Sequence, residues 1–272
     1  MPALPLAKYE LSSEDHKRLG KARNRLRWQC MRSLGFDDFP LGPGFAPGIR
    51  MADSFTSTLV YVSPYGTLDL DRARRWGYGL APDHAKALRA ELRPTGRELT
   101  QREYEALYGP GKGGRSVNGR KIPQGGCAAE ATRRTERDVT DSGRLWAYVP
   151  RRIEKIDKAV AKDDRVRRAF RDWSRCVEDK GFKRYENPTR AFGDKEWWKE
   201  SENGDTPPTK RELGTAVADV ECNRKLNTAG VWWSVSNEKQ REDLRRNKSR
   251  YEAVREDQDR VRDGIREALG EK

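Results

Sequence analysis

Apolar residues recur along this chain at spacings of three and four, the period of a helix with one buried face. Leu19, Ala22, Leu26, Gln29 and Ser33 follow that spacing, with Cys30 and Leu34 beside them, and predict a helix from Ser12 to Gly35. Ser12 with Asp15 three residues on is a capping-box-like start. Gly35 stands where a C-cap glycine ends a helix, and Phe36 can fold back as its apolar clasp. Further on, Arg151–Ala161 and Asp164–Lys180 are predicted as one bent or two consecutive helices, and Val166, Phe170, Trp173 and Val177 form an i, i+4, i+7, i+11 stripe in the second segment. Thr209 with Glu212 starts another helix, which ends near Gly230. Leu213, Val217 and Val220 lie on one side of it and Ala218, Cys222, Leu226 and Ala229 on the other, so it should be central. A last helix is predicted from about Asn237 to Leu269. Its positions Leu244, Asn247, Tyr251, Val254, Gln258, Val261, Ile265 and Ala268 form a weak heptad with polar interruptions. Such a seam serves either an intramolecular arm or self-association through residues 237–269.

The first half is less regular. Residues 1–11 read as an extended, Pro-containing leader, Pro40–Arg50 is rich in Gly and Pro, and Thr58–Val62 is the one β-like run. Leu68–Trp76 is a short helix ending at Gly77-Tyr78-Gly79, and Thr100 caps another, Gln101–Leu107, with Glu103 at the box position. Gly109–Gly126 is a glycine-rich loop.

One pattern occurs twice. Cys30-Met-Arg-Ser-Leu-Gly35-Phe36 and Cys176-Val-Glu-Asp-Lys-Gly181-Phe182 both read C-x4-G-F, each closing a helix and each preceded by a tryptophan, Trp28 or Trp173. Each is followed by a second cysteine in a predicted helix, Cys127 or Cys222. We read this as a diverged internal duplication, with one half at 1–145 and the other at 146–272, or the two merged in one domain. Four cysteines allow three pairings. The duplication makes Cys30–Cys127 and Cys176–Cys222 the simplest, and four buried thiols in a cytosolic chain are the rival account.

Composition narrows the setting. Charged residues make up 36% of the 272, against 35% for the nine apolar types, and mean hydropathy is −1.02. Yet 8 Trp, 9 Tyr and 7 Phe are too many aromatics for a disordered chain. No apolar run approaches the roughly 18–20 residues of a membrane span. Lys and Arg number 56 against 43 Asp and Glu, a net charge of +13 that favours nucleic acid, teichoic acid or anionic lipid as partner. The charge is concentrated on the first helix, where Lys17, Arg18, Lys21, Arg23, Arg25 and Arg27 make a candidate surface for an anionic partner. A soluble surface in an arginine-rich proteome would look similar.

Candidate chemistry is sparse. Gly109-Pro-Gly-Lys112-Gly-Gly-Arg115 lacks the G-K-[ST] end and preceding strand of a phosphate loop. There is no CxxC and no HExxH; His16 and His84 read as surface residues. Catalytic, cofactor and metal residues are therefore assigned to none. Trp197-Trp198, flanked by Arg190, Lys195 and Lys199, is a candidate aromatic contact for sugars or bases, unless one Trp of this pair and of Trp232-Trp233 packs in the core.

The run Leu4-Pro-Leu-x2-Tyr9-x-Leu-Ser12 followed by Cys30-Met31-x3-Gly35-Phe36 resembles an actinobacterial family of exported proteins and lipoproteins of unknown function. Arg75-Trp-Gly-Tyr-Gly79, Tyr104-x2-Leu107-x-Gly109, Gly125-Gly-Cys127-x2-Glu130-Ala131, Trp173-x2-Cys176-x4-Gly181 and Ala216-x-Ala218-Asp219-x2-Cys222 are similar to its later signatures. The resemblance implies export and paired cysteines and supplies no catalytic residues. Its signal peptide and lipobox have no counterpart in this chain, which starts Met1-Pro2-Ala3, so anchoring stays open.

The expectation is thus a mainly α, multi-helix protein of two related halves, each stapled by one disulfide. Its expected role is that of a non-enzymatic, extracytoplasmic (cell-envelope or secreted) interaction protein with a basic surface. A cytosolic nucleic-acid binder with free thiols is the alternative, and a wall-directed hydrolase using two facing carboxylates the third.

Overall fold

The computed structural model describes residues 1–39, 66, 68–79, 81–83, 97–109, 116–198 and 207–271. Among them are ten α-helices: α1 (Ser13–Ser33), α2 (Leu70–Trp76), α3 (Gln101–Tyr108), α4 (Gly126–Thr135), α5 (Ser142–Ala161), α6 (Asp164–Asp179), α7 (Pro188–Phe192), α8 (Lys210–Leu226), α9 (Thr228–Arg246) and α10 (Lys248–Leu269). Pro5–Tyr9, expected to be extended, is a 3-10 turn that buries Leu6. Pro40–Arg50, Thr58–Val62, His84 and most of the Gly109–Arg115 loop lie outside the described residues.

Side-chain caps set many of the helix starts. At α1 the Ser12 hydroxyl accepts from the Asp15 N–H at 3.0 Å while the Asp15 carboxylate accepts from the Ser12 N–H. Thr100 and Glu103 repeat this capping box at α3. The two C-x4-G-F units end their helices identically. Gly35 N–H donates to the Arg32 carbonyl and Phe36 N–H to that of Met31; Gly181 donates to Glu178 and Phe182 to Val177. This is the Schellman arrangement, with a left-handed glycine at φ +89 or +84 and an apolar clasp, Phe36 beside Met31 and Phe182 beside Val177. Gly181→Ala is expected to cost about 1–2 kcal/mol, the strain of a left-handed Cβ, because its Cβ would meet open space. Gly35→Ala should cost more, since its Cβ would press on the Asn118 amide that donates to the Leu34 carbonyl. Urea denaturation of the two variants measures the difference.

Three boundaries differ from expectation for identifiable reasons. α5 begins nine residues before Arg151 and tolerates Pro150 in its interior. A left-handed Asn227, at φ 51, closes α8 at Leu226, short of Gly230. The predicted terminal helix is two helices that meet at Asn247. A small hairpin, β1 (Ser116–Val117) and β2 (Arg120–Lys121), sits in the glycine-rich loop, and Asn118 and Gly119, both at positive φ, form its turn.

Both expected disulfides are present: Cys30–Cys127, with Cα atoms 5.6 Å apart, and Cys176–Cys222, with Cα atoms 5.8 Å apart. The chain forms two compact units, each containing one bridge, but not the consecutive blocks 1–145 and 146–272. One takes Leu6–Ile49, Arg93–Arg151 and Arg246–Lys272; the other takes Met1–Pro5, Arg50–Leu92 and Arg152–Arg245. The reason is where the apolar faces are spent. The terminal helix α10 buries Val261 and Ile265 against Leu19 and Ala22 of α1, which draws it into the unit of the first bridge. α2 with Tyr78 packs on Trp173, Val177 and Val220, which draws it into the unit of the second.

In the α1 unit, Met31, Leu34, Ala106, Leu107, Ile122 and Cys127 form a cluster around the bridge. The α10 seam is filled within the chain, with Tyr251, Val254, Gln258, Val261 and Ile265 all buried. Asp257 is buried with them. Against the desolvation that burial imposes, the Thr140 N–H, Arg144, the Thr140 hydroxyl and Arg260 hold its carboxylate at about 2. In the α8 unit the central helix is α8, as its two-sided apolar pattern requires, and Trp173 from α6 is fully buried against it.

Candidate functional site

The basic face of α1 divides into spent and outward-facing cations. Arg18 pairs with Glu271. Arg23 pairs with Glu136 at 2.5 Å, and Arg25 donates to the Leu269 carbonyl at 2.6 Å. Arg27 donates to Asn24 at 3.2 Å. Burial pulls Arg23 and Arg27 below the ordinary guanidinium range, so these two are structural cations and not a surface field. Lys17 and Lys21 are exposed, one turn apart. Farther along the helix, Arg32 lies 4.9 Å from the centre of the Trp28 ring. Of the six residues singled out from the sequence, the structure thus leaves Lys17 and Lys21 fully outward; Arg32, at the end of the same basic run, pairs with Asp37 at 3.8 Å.

The aromatic pairs are partly structural. Trp197 is half-buried, stacks 6.1 Å from Tyr78 and donates its indole N–H to the Ala191 carbonyl at 2.7 Å. The side chain of Trp198 lies outside the described residues. Trp232 is buried, whereas Trp233 donates to the Pro2 carbonyl at 2.9 Å.

A second feature escaped the sequence reading. α8 buries a polar stripe, Glu212, Thr215, Asp219 and Asn223, between its apolar positions. Asp219 is wholly inaccessible. Its carboxyl accepts from the Trp173 indole N–H at 2.9 Å and from the Tyr78 hydroxyl at 3.3 Å. Glu212, two turns earlier, accepts the Tyr78 backbone N–H at 3.1 Å. The backbone reaches these acids through glycines: a Cβ on Gly77 would stand 2.7 Å from Glu212 Oε1, and one on Gly66 would stand 3.4 Å from Asp219 Oδ2. Desolvation pushes Asp219 up to about 8 against the two hydrogen bonds, and it also raises Glu212. Burial likewise lifts the Tyr78 phenol well above its usual range. The available signal was two acids seven residues apart on a helix otherwise read as buried on both sides.

Among the described residues no group of His, Cys, Asp and Glu is arranged to hold a metal ion, and no helix is long and apolar enough to cross a membrane. No protein-family model, curated protein or solved structure matches the chain.

Proposed function

We propose that the chain works outside the cytosol, in the cell envelope or as a secreted protein, as a non-enzymatic interaction module that presents α1 to an anionic partner. The observation that carries the reading is the outward pair Lys17 and Lys21, one turn apart on a helix whose end is fixed by Cys30–Cys127. Four cysteines committed to two bridges fit an oxidising compartment better than a cytosol that keeps thiols reduced. The resemblance to actinobacterial exported proteins and lipoproteins supports the same setting.

The test is binding of the oxidised chain to a polyglycerol-phosphate polymer, to phosphatidylglycerol vesicles and to single-stranded DNA at several salt concentrations. Affinity for the polymer or vesicle is expected to fall linearly in log–log form with salt, and Lys17→Ala/Lys21→Ala should flatten that slope by about one to two. Absence of binding to every probe at low salt, or an unchanged slope in the variant, would overturn the proposal. A marked preference for DNA would favour a nucleic-acid binder instead.

A further inference from the structure

We propose, on the reading of α1 as a face for an anionic partner, that Gly20 forms the floor of a notch that seats one strand of a phosphodiester-linked polyol polymer, whose phosphates Lys17 and Lys21 hold.

Gly20 stands in the middle of α1, outside the left-handed region that calls for glycine. A glycine inside a helix is disfavoured against alanine, because it gives up more backbone freedom on folding. Gly214, Gly230 and Gly264, also within helices, have packing reasons. A Cβ on Gly214 would strike the Phe182 ring, one on Gly230 the Asn227 side chain, and one on Gly264 the Thr135 carbonyl. A Cβ on Gly20 would meet nothing within 4 Å. No contact within the chain therefore accounts for the bare backbone at this point.

Side chains three and four residues away wall the gap. On one side stand His16 and Arg23, both against the half-buried Trp146 ring of α5, at 6.3 and 5.7 Å from its centre. Glu136 fixes this wall, since it accepts from the Trp146 indole N–H at 3.0 Å and pairs with Arg23. On the other side stand Lys17 and Lys21, both exposed and about 6 Å apart along the helix axis. Neither is paired with an acid among the described residues. Of the acids nearby, Asp15 pairs with Arg262 and Glu136 with Arg23, and Glu10 and Glu14 border only the N-terminal edge. The notch is thus positive along its open side.

Two ammonium groups one turn apart suit successive phosphates joined by a short polyol. Without a Cβ at Gly20, a thin strand lies a methyl group closer to the helix and within reach of both. The large apolar side chains exposed among the described residues are Met1, Tyr104 and Tyr108, so α1 offers no apolar side chain to enter a bilayer. It also offers no open ring for a base to stack on, because Arg32 lies over the half-buried Trp28. A free polymer strand is the occupant these features favour over a membrane surface or a nucleic acid.

Gly20→Ala in the full, oxidised chain separates the notch from the charge beside it. Alanine is the better helix former and meets no neighbour, so this variant is expected to melt about 2–4 °C above the wild type. Its affinity for polyglycerol phosphate is nevertheless expected to fall about fivefold or more, and that of Gly20→Leu further. The salt slope should not change, because both lysines remain. Phosphatidylglycerol vesicles and single-stranded DNA should bind more weakly than the polymer and be indifferent to the substitutions. Wild-type polymer affinity in both variants would overturn the notch while leaving the charged face in place. An equal loss of affinity for vesicles or DNA would overturn the choice of polymer. A wild type that binds none of the three at low salt would overturn the charged face as well.

Discussion

Replacing Cys176 and Cys222 together by alanine is expected to destabilise the α8 unit by about 4 kcal/mol, and replacing Cys30 and Cys127 to destabilise the α1 unit by about 5 kcal/mol. The bridges close separations of 46 and 97 residues, and the entropy that a crosslink removes from the unfolded chain grows slowly with loop length. Alanine is the appropriate replacement because Cys127 and Cys222 are wholly buried, and a serine hydroxyl would add an unmet polar group. Against a typical net stability of about 5–15 kcal/mol, either loss is large. Exchange protection mapped by residue should fall around α1, α3 and α4 in one variant and around α6 and α8 in the other. Losses below about 1 kcal/mol in both would mean that the helices hold together without their staples.

Stability is expected to decline as pH rises from about 4 to about 8, the reverse of the usual behaviour of a carboxylate-rich chain. Asp219 is raised from 3.8 to about 8 by burial, and Asp157 to about 6 for the same reason. A folded state that holds a proton more tightly than the unfolded chain is favoured while both are protonated, and the advantage disappears as pH climbs through the folded value. For Asp219 this is at most on the order of 5 kcal/mol. At the acid end the sign reverses. Asp15, Glu103, Asp163, Asp194 and Asp257 are held at about 2, so their contribution is present above the ordinary carboxylate range and is lost as pH falls toward 2. Thermal midpoints should therefore peak between about pH 4 and 6. Asp219→Asn keeps an acceptor for Trp173 and a donor for Tyr78 and should flatten the curve from pH 6 to 8. A wild-type midpoint that rises steadily to pH 8 would contradict the assignment.

What was legible in the sequence is what local chemistry decides. Ser12 with Asp15 and Thr100 with Glu103 announce their helices because one side chain and one amide three residues on suffice to cap. Cysteine, glycine and phenylalanine at fixed offsets announce both Schellman ends and, through their repetition, the pairing of the bridges. Asn118-Gly119 carried an equally local turn signal that the glycine-rich surroundings obscured. The start of α5 was not legible: the helix begins at Ser142, nine residues before the expected Arg151, and contains Pro150. The division into units was not legible, because α10 could spend its apolar seam on any partner and only the fold shows that α1 takes it. Nor was the division of labour among the basic residues of α1: Arg25 and Lys21 look alike until Arg25 is seen to cap the α10 terminus through the Leu269 carbonyl. The acid cluster depends on Tyr78 and Asp219, 141 residues apart, meeting inside one core.

Peptide mapping of the unreduced chain, produced under oxidising conditions, addresses the covalent framework most directly. It should yield one crosslinked pair containing Cys30 with Cys127 and another containing Cys176 with Cys222, and no alkylatable thiol. Crosslinks that join Cys30 or Cys127 to Cys176 or Cys222, or four residues that all alkylate without reductant, would contradict the arrangement of two separately stapled units.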